Sequence, residues 1–280
     1  MPDPLIPLVR DAILASLTTR TMGRTLRLLD ETTSTNTQAL EAAQSGAPDG
    51  TVIIAERQTA GRGRLARTWE SPAGCNLYVS VIVRQLPPMD RLGWLPLITA
   101  SAMAAAIRSL TGLPPALKWP NDVMLGGKKV GGVLCESQAL GTDAACVVVG
   151  IGLNVNWRES DMPPEIRPLA TSLAAQSRKP ADRVRLLAIL LLELERRIDR
   201  WRNGELSSLA DEYRTHCGTI GQAVRVELGT GKQVEGMVTA IESDGALRIA
   251  AHRGSTSGDH IVRSGDVVHL RPQRSEHAQA

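Results

Sequence analysis

A chain of 280 residues, 42% apolar and 22% charged, has the make-up of an ordinary globular protein, long enough for one large domain, one small domain and a sizeable core. Its net charge of +3 is too small to call for a nucleic-acid partner by itself. No apolar run reaches the roughly 18–20 residues of a membrane span, and the N-terminus lacks a basic-then-apolar signal pattern. A cytoplasmic protein with no DNA and no membrane partner is therefore expected. Cys75, Cys135, Cys146 and Cys217 lie far apart without a CxxC pair, which indicates neither a zinc site nor a disulfide framework; buried thiols are expected.

Residues 1–25 hold one amphipathic stretch, Val9 to Leu17, too little for a helix-turn-helix unit with its own core. Thr35-Asn-Thr-Gln38 has the form of a capping box and predicts a helix to about Ser45, ended by Gly46. A strand is predicted from Thr51 to Ala55. The segment from Gln58 to Trp69 then sets Arg62, Arg64 and Arg67 beside Gly61 and Gly63. Glycine lets a backbone approach a ligand closely, and guanidinium groups match phosphate or carboxylate oxygens, so this loop suits closure over an anion; a solvated surface loop is the plain alternative. A strand from Leu77 to Val83 and an alanine-rich helix from Leu92 to Leu110 follow.

Lys118-Trp-Pro-Asn-Asp122 leads into a predicted hairpin, with strands Val123 to Leu125 and Val130 to Leu134 joined at Gly126-Gly127. Lys128 and Lys129 could be plain charges on an exposed edge. The apolar run Cys146 to Asn156 suits a strand buried on both faces. Asp182 can cap a helix to about Trp201, with Leu186, Leu190, Leu194, Ile198 and Trp201 as its core stripe and Asn203-Gly204 as its stop. From Thr219 the pattern changes to short strands, Ala223 to Leu228, Val234 to Glu242, Ala246 to Ala251 and His260 to Leu270, which fit a small barrel. The tail after Pro272 is expected to be disordered. All five histidines fall in the last quarter of the chain, so the motif-bearing part has no imidazole and its chemistry should rest on positioning and positive charge.

Five motifs, in this order, carry a resemblance: Ser34-Thr-Asn36, Gly61-Arg-Gly-Arg64, Lys118-Trp-Pro-Asn-Asp122, Lys129-Val-Gly-Gly132 and Gly150-Ile-Gly-Leu-Asn154. Together they resemble the biotin protein ligases, the biotin-[acetyl-CoA-carboxylase] ligases, in the form without an N-terminal DNA-binding domain. The resemblance implies an α/β (α+β) fold, a mixed sheet flanked by helices like that of class II synthetases, with a small SH3-like C-terminal barrel. The implied division is an N-terminal extension at 1–25, a catalytic domain at 26–218, the barrel at 219–272 and the tail at 273–280.

The implied activity joins biotin to ATP as biotinyl-5′-AMP, with magnesium, and passes the acyl group to a lysine of a biotin carboxyl carrier domain of acetyl-CoA carboxylase or a related carboxylase. By resemblance, Lys118, Arg64 and Asp122 are the catalytic candidates, Asp122 also meeting the magnesium that arrives with ATP. Ser34, Thr35, Asn36, Gln58, Gly61, Arg62, Gly63, Arg64, Lys129, Gly150 and Gly152 are expected around biotin, the two last glycines leaving it room beside a strand. Arg64, Arg67, Trp69, Lys118, Asn121 and Asn154 are expected near the nucleotide, with Trp69 either stacking on adenine or serving as a core residue. The lid departs from a common family form in carrying Leu65-Ala66, where basic or glycine residues often occur. A monomer or weak homodimer is expected. A lipoate or octanoate ligase shares the fold but would not need the polar set Ser34, Thr35 and Gln58, whereas a non-catalytic nucleic-acid-binding module would show binding that falls steeply with salt.

Overall fold

The computed structural model describes residues 7–228, 231–250 and 258–270. In chain order the elements begin with α1 (Arg10–Ser16), β1 (Leu26–Thr32), α2 (Thr35–Gln44), β2 (Val52–Gln58), β3 (Leu77–Val83) and α3 (Leu95–Thr111). There follow β4 (Ala116–Lys118), β5 (Asp122–Leu125), β6 (Lys128–Gln138), β7 (Cys146–Leu153), α4 (Leu173–Ser177), α5 (Arg183–Arg202) and α6 (Leu206–His216). A last group is β8 (Ala223–Glu227), β9 (Gln233–Ile241), β10 (Leu247–Ala250), β11 (His260–Val262) and β12 (Asp266–His269). The first seven strands form one mixed sheet in the order β1-β2-β3-β7-β6-β5-β4, with β1 and β2 parallel and the other neighbours antiparallel.

Strand alternation decides what each face of this sheet does. Leu77, Val79, Val81 and Val83 of β3, with Val147, Val149, Ile151 and Leu153 of β7, join the large core that also holds α3 and α5 residues such as Met103, Leu190 and Trp201. Each such side chain contributes about 1.5–3 kcal/mol on burial, an upper figure because the unfolded chain is itself partly collapsed. The alternate residues Ile82 and Val148 pack on Ala39 and Ala43 of α2. Further along that second face stand Ser80, Gly150 and Gly152, small residues that leave a hollow beside the start of α2.

The second sheet has the order β11-β10-β9-β8-β12. Its two edge strands are joined by Arg263-Ser264-Gly265 alone, so the sheet must curl until its edges nearly meet, as a small barrel does. The indole N–H groups of Trp94 and Trp119 donate to the carbonyls of Ser243 (2.8 Å) and Gly245 (2.9 Å), and Trp119 N–H donates to Thr219 Oγ1 (3.1 Å), which docks the barrel on the first sheet. Met89–Thr111 meets the length and composition of a membrane-crossing segment, yet it is mostly buried against the sheet and α5 and acts as a core element.

Several elements differ from the sequence reading. The capping box does not form: Ser34 is the N-cap, its hydroxyl makes no cap bond, and Gln38 donates to Glu41 (3.0 Å). The Thr35 N–H is instead taken by Gln58 Oε1 at 2.9 Å, from the end of β2. β1 and α6 are additional elements. α3 starts at Leu95, with Pro96 in its first turn, after a 3-10 turn over Met89–Trp94. The hairpin turn at Gly126-Gly127 has φ of 57° and 77°, the positive pair that a two-residue type I′ connection requires, but β6 runs on to Gln138 and β7 ends at Leu153. The predicted strand His260 to Leu270 is two strands. Cys75, Cys146 and Cys217 are buried whereas Cys135 is half-buried. The first six residues of the extension, His252, His277 and the expected disordered tail at 273–280 lie outside the described residues, as does Ala251, the predicted strand end.

Candidate active site

The hollow on the α2 face is a cavity of about 310 Å³. Its floor is Ser34, Thr35 and Asn36 at the start of α2, with Gln58, Gly150 and Gly152. These side chains hold one another. Gln58 Oε1 also accepts from Thr35 Oγ1 (3.1 Å) while its Nε2 donates to Ser71 Oγ (3.0 Å). Ser80 Oγ lies 2.8 Å from Thr35 Oγ1 and 2.6 Å from Asn36 Oδ1, and Asn36 Nδ2 donates to Glu136 Oε2 (2.7 Å) and the Leu134 carbonyl (3.2 Å). Ser34, Thr35, Asn36 and Ser80 are all buried, so this network fixes the start of α2 before any ligand arrives. The sequence reading gave Gly150 and Gly152 the task of leaving space for a ligand. Both line the cavity, and their missing Cβ atoms also leave space for the chain itself: a Cβ on Gly150 would lie 2.2 Å from Asn36 Oδ1, and one on Gly152 would lie 2.5 Å from Trp69 Cε2.

One wall is the hairpin. Lys129 Nζ lies 2.5 Å from Asp122 Oδ1 and 5.4 Å from the centre of the Trp69 ring, a cation–π arrangement. Trp69 thus packs beside Gly152 and Lys129 rather than in the main core, and its buried Nε1 has no hydrogen-bond partner among the described residues. Asn154 donates through Nδ2 to the Thr171 carbonyl (3.0 Å), while its buried Oδ1 has no partner among the described residues. Buried polar atoms without partners cost free energy, so a free donor and a free acceptor beside one cavity point to a polar ligand.

The roof is the basic loop, folded back on itself. Trp69 N–H donates to the Gly61 carbonyl (2.9 Å) and Gly63 N–H to the Arg67 carbonyl (2.7 Å), with Leu65 and Ala66 at its tip in the left-handed region, φ 53° and 57°. Residues with a Cβ are strained there, by about 1–3 kcal/mol each, where a glycine would not be. Each arginine reaches a different part of the molecule. Arg62 Nη2 donates to Glu136 (2.8 Å), Arg64 to Asn121 Oδ1 (3.3 Å) and Ser264 Oγ (2.9 Å), and Arg67 to Asp266. Burial lowers the Arg64 pKa, and Asp122 and Asp266 oppose that shift.

Of the residues singled out in the sequence, the cavity wall gathers Ser34, Thr35, Asn36, Gln58, Arg62, Gly63, Arg64, Arg67, Trp69, Asn121, Asp122, Lys129, Gly150, Gly152 and Asn154. Gly61 and Lys118 are not on it. Gly61 is buried under Trp69 and Ser71. Lys118 is half-buried at the end of β4, paired across the hairpin with Asp122, so the two side chains share a face. It approaches the barrel, where burial and then the Lys118 charge lower the His269 pKa. The fold therefore brings an imidazole to the motif region that the linear sequence lacked.

The sequence reading missed Ser80, Glu136, Asp266 and the loop 157–170. That loop supplies Trp157, Ile166, Leu169 and Ala170 to the cavity. Its ends are tied by Ser172 Oγ donating to the Trp157 carbonyl (2.7 Å) and by Lys129 N–H donating to the Leu169 carbonyl (2.8 Å). Leu169 is 69% exposed, an apolar surface at the cavity edge. The signal available was position, since an irregular, proline-bearing stretch directly follows the Gly150–Asn154 motif.

Two family models match the chain and define its class: the biotin/lipoate A/B protein ligase family over residues 28–154, and the biotin protein ligase C-terminal domain over residues 219–270. Among similar proteins, the biotin--[acetyl-CoA-carboxylase] ligase of Mycobacterium tuberculosis is 43% identical over 253 residues, 89% of this chain and 90% of that one. The bifunctional ligase/repressor BirA of Bacillus subtilis is 33% identical over 85% of this chain and 73% of its own length. A solved structure of the Aquifex aeolicus biotin protein ligase in complex with biotin and ATP superposes with a TM-score of 0.74 and 31% identity, covering 89% of this chain and 99% of that one. The chain belongs to the biotin protein ligase family.

Proposed function

We propose that this chain is an ATP-dependent ligase that activates biotin as biotinyl-5′-AMP and transfers it to one lysine of a biotin carboxyl carrier domain. The observation that carries the reading is that four separate stretches, Ser34–Asn36, Arg62–Trp69, Asn121–Lys129 and Gly150–Asn154, meet around one cavity whose unpartnered Trp69 Nε1 and Asn154 Oδ1 await polar groups. Family membership supplies the substrates. The catalytic domain is assigned to 26–218 and the barrel to 219–272, acting as a monomer or weak homodimer in the cytoplasm.

In the first step the biotin carboxylate oxygen attacks the α-phosphorus and pyrophosphate leaves; in the second an amine attacks the acyl carbon and AMP leaves. Both steps gather negative charge at the phosphate, which fixed cations stabilise without a covalent enzyme intermediate. Lys129, held by Asp122 and the Trp69 face, is placed to meet the carboxylate. Arg64 and Arg67 close over the phosphate, and Lys118 adds charge from the same face as Asp122. Asn121 and Asp122 offer hard oxygen donors, which fits a magnesium ion that arrives on the phosphates and needs only one or two protein carboxylates; bound there it would neutralise phosphate charge. The buried polar floor suits the ureido ring of biotin better than the apolar head of lipoate.

The test is ATP–pyrophosphate exchange with biotin or lipoate as the only acid. Exchange with biotin and not with lipoate supports the reading; exchange with lipoate alone overturns it. Lys118→Ala is expected to lower the biotin-dependent rate by about 10²–10³-fold, and near-normal exchange would remove Lys118 from the mechanism.

A further inference from the structure

Lys118 ends β4, which is 3 residues long and is the last strand of the first sheet. A strand that short on a sheet edge presents unpaired backbone groups and opens easily unless something closes its outer side. On the inner side Ala116, Leu117 and Lys118 pair with Met124, Val123 and Asp122 of β5. The outer side is closed by Cys217, Gly218 and Thr219, the start of the connection from α6 to the barrel.

Three contacts make this closure. Leu117 forms a parallel bridge with Cys217, Gly218 N–H donates to the Leu117 carbonyl (2.8 Å), and Trp119 N–H donates to Thr219 Oγ1 (3.1 Å). Lys118 is thus anchored on both sides, by the carbonyl before it and the amide after it. Thr219 is 0% exposed and Trp119 2%, so the threonine hydroxyl is the acceptor on which the Trp119 amide depends, and a buried N–H without one is costly. The backbone of Thr219 has a separate task, its carbonyl closing a turn with Gln222 N–H (3.2 Å). That turn needs no hydroxyl. The side chain therefore serves the segment that carries Lys118.

We propose that Thr219 is a positioning residue for adenylate formation: through the Trp119 amide it holds Lys118 where its ammonium offsets the charge that gathers on the α-phosphate. The inference rests on the ligase reading above and on the role given there to Lys118. It gives the C-terminal domain a part in the first chemical step through one hydroxyl, without contact with either substrate. Lys118 acts as a fixed charge over a few ångströms, so a small drift of its backbone weakens transition-state stabilisation. Biotin binding is supplied separately, by the floor around Thr35 and Gln58. Loss of the hydroxyl should accordingly appear in kcat and leave KM for biotin in place.

The experiment measures biotin-dependent ATP–pyrophosphate exchange in the full-length enzyme carrying Thr219→Val, Thr219→Ser or Thr219→Cys, with folding checked by thermal unfolding. Thr219→Val keeps the shape and removes the acceptor; kcat is expected to fall about tenfold, with KM for biotin within about twofold of native. Thr219→Ser keeps the hydroxyl and is expected to retain the native kcat. Thr219→Cys offers a weaker acceptor, is expected to fall between the two, and carries the test if Thr219→Val does not fold. In a Lys118→Ala background, Thr219→Val is expected to cost no more than about twofold, because the residue it acts through is gone. A native kcat in folded Thr219→Val, or in Thr219→Cys where the valine variant does not fold, overturns the proposal and leaves the ligase reading standing. So does a loss that serine fails to recover, a rise in KM alone, or the full tenfold loss in the Lys118→Ala background. Absence of biotin-dependent exchange in the native enzyme overturns both, by a different readout.

Discussion

The floor of the ligand cavity and its lid are built from opposite materials. The floor is a polar network, Thr35, Asn36, Gln58 and Ser80 bonded to one another and to Glu136, with Thr35, Asn36 and Ser80 buried and the strand residues drawn from β2, β3 and β6. The lid is held by contacts from long arginine side chains to Glu136, Asn121, Ser264 and Asp266, with Leu65 and Ala66 strained at its tip. The Arg67–Asp266 pair is 62% and 33% exposed, and such pairs contribute only about 0.2–1 kcal/mol. A floor of this kind selects a shape and keeps it. A lid of this kind can exchange each protein partner for a phosphate or carboxylate oxygen of the ligand at little cost.

The largest expected effect breaks the floor. Gly150→Val drives a Cβ into Asn36 and should reduce biotin-dependent pyrophosphate exchange by about 100-fold or more, since an ångström-scale misplacement is enough for that loss. A folded variant with normal exchange would show that the Asn36 network does not shape the site. Next in size is the lid. Arg64→Gly should raise release of adenylate, read as labelling of bystander lysines, by about tenfold while adenylate formation falls less, in line with the loss of charge-assisted bonds. Equal release from both enzymes would take Arg64 out of retention. Asp266→Asn is a milder version: hydrogen exchange of the Gly61–Trp69 amides in the ligand-free protein should quicken about two- to fivefold, the shift expected from losing one part-exposed pair. No change would mean that the barrel does not hold the lid.

The smallest effect on the site is expected from a pair remote from both regions. Glu195 accepts from the backbone N–H groups of Arg20 (2.7 Å), Thr21 (2.9 Å) and Met22 (2.8 Å). Burial pushes its carboxyl up, but those three donors outweigh it and hold it below its ordinary 4.5. Because the folded value is depressed, the stabilisation is present above about pH 4.5 and is lost as pH falls through the folded value. Glu195→Gln should therefore destabilise by about 1.5–3 kcal/mol at pH 7, with the gap to the native protein narrowing toward pH 3, as read by urea unfolding at each pH. A gap independent of pH would contradict the assignment, and the variant should leave exchange kinetics untouched. Cys135, pushed up to about 12 by burial, should stay unalkylated at neutral pH.

What the sequence made legible follows the same divide. Strands β2, β3 and β7 were readable because they are long apolar runs, and the Gly126-Gly127 turn because its positive φ values demand glycine. α2 was found with the wrong cap, since the Thr35 N–H partner is a glutamine 23 residues away and not a neighbour. β1 escaped notice because Leu26-Arg-Leu-Leu-Asp-Glu-Thr32 mixes charge with apolar residues on an edge strand. Motif residues of the floor and lid were legible as local patterns. Ser264 and Asp266 were not, because their partners Arg64 and Arg67 lie 200 and 199 residues away and only the docking of the barrel brings them together. Lys118 shows the converse, a residue prominent in the motif that the fold sets beside the cavity wall and not on it.

The central claim is that the lid keeps an activated acyl group from water until an amine arrives, and a single-turnover chase tests it directly. Enzyme is loaded with biotin and ATP, freed of both by rapid desalting, and given a biotin carboxyl carrier domain after increasing delays. The account expects the carrier to be biotinylated without further ATP, with a decay over delay that is markedly slower in the native enzyme than in Arg64→Gly. Loss of the acyl group at the same rate from both, before the carrier is added, would contradict it.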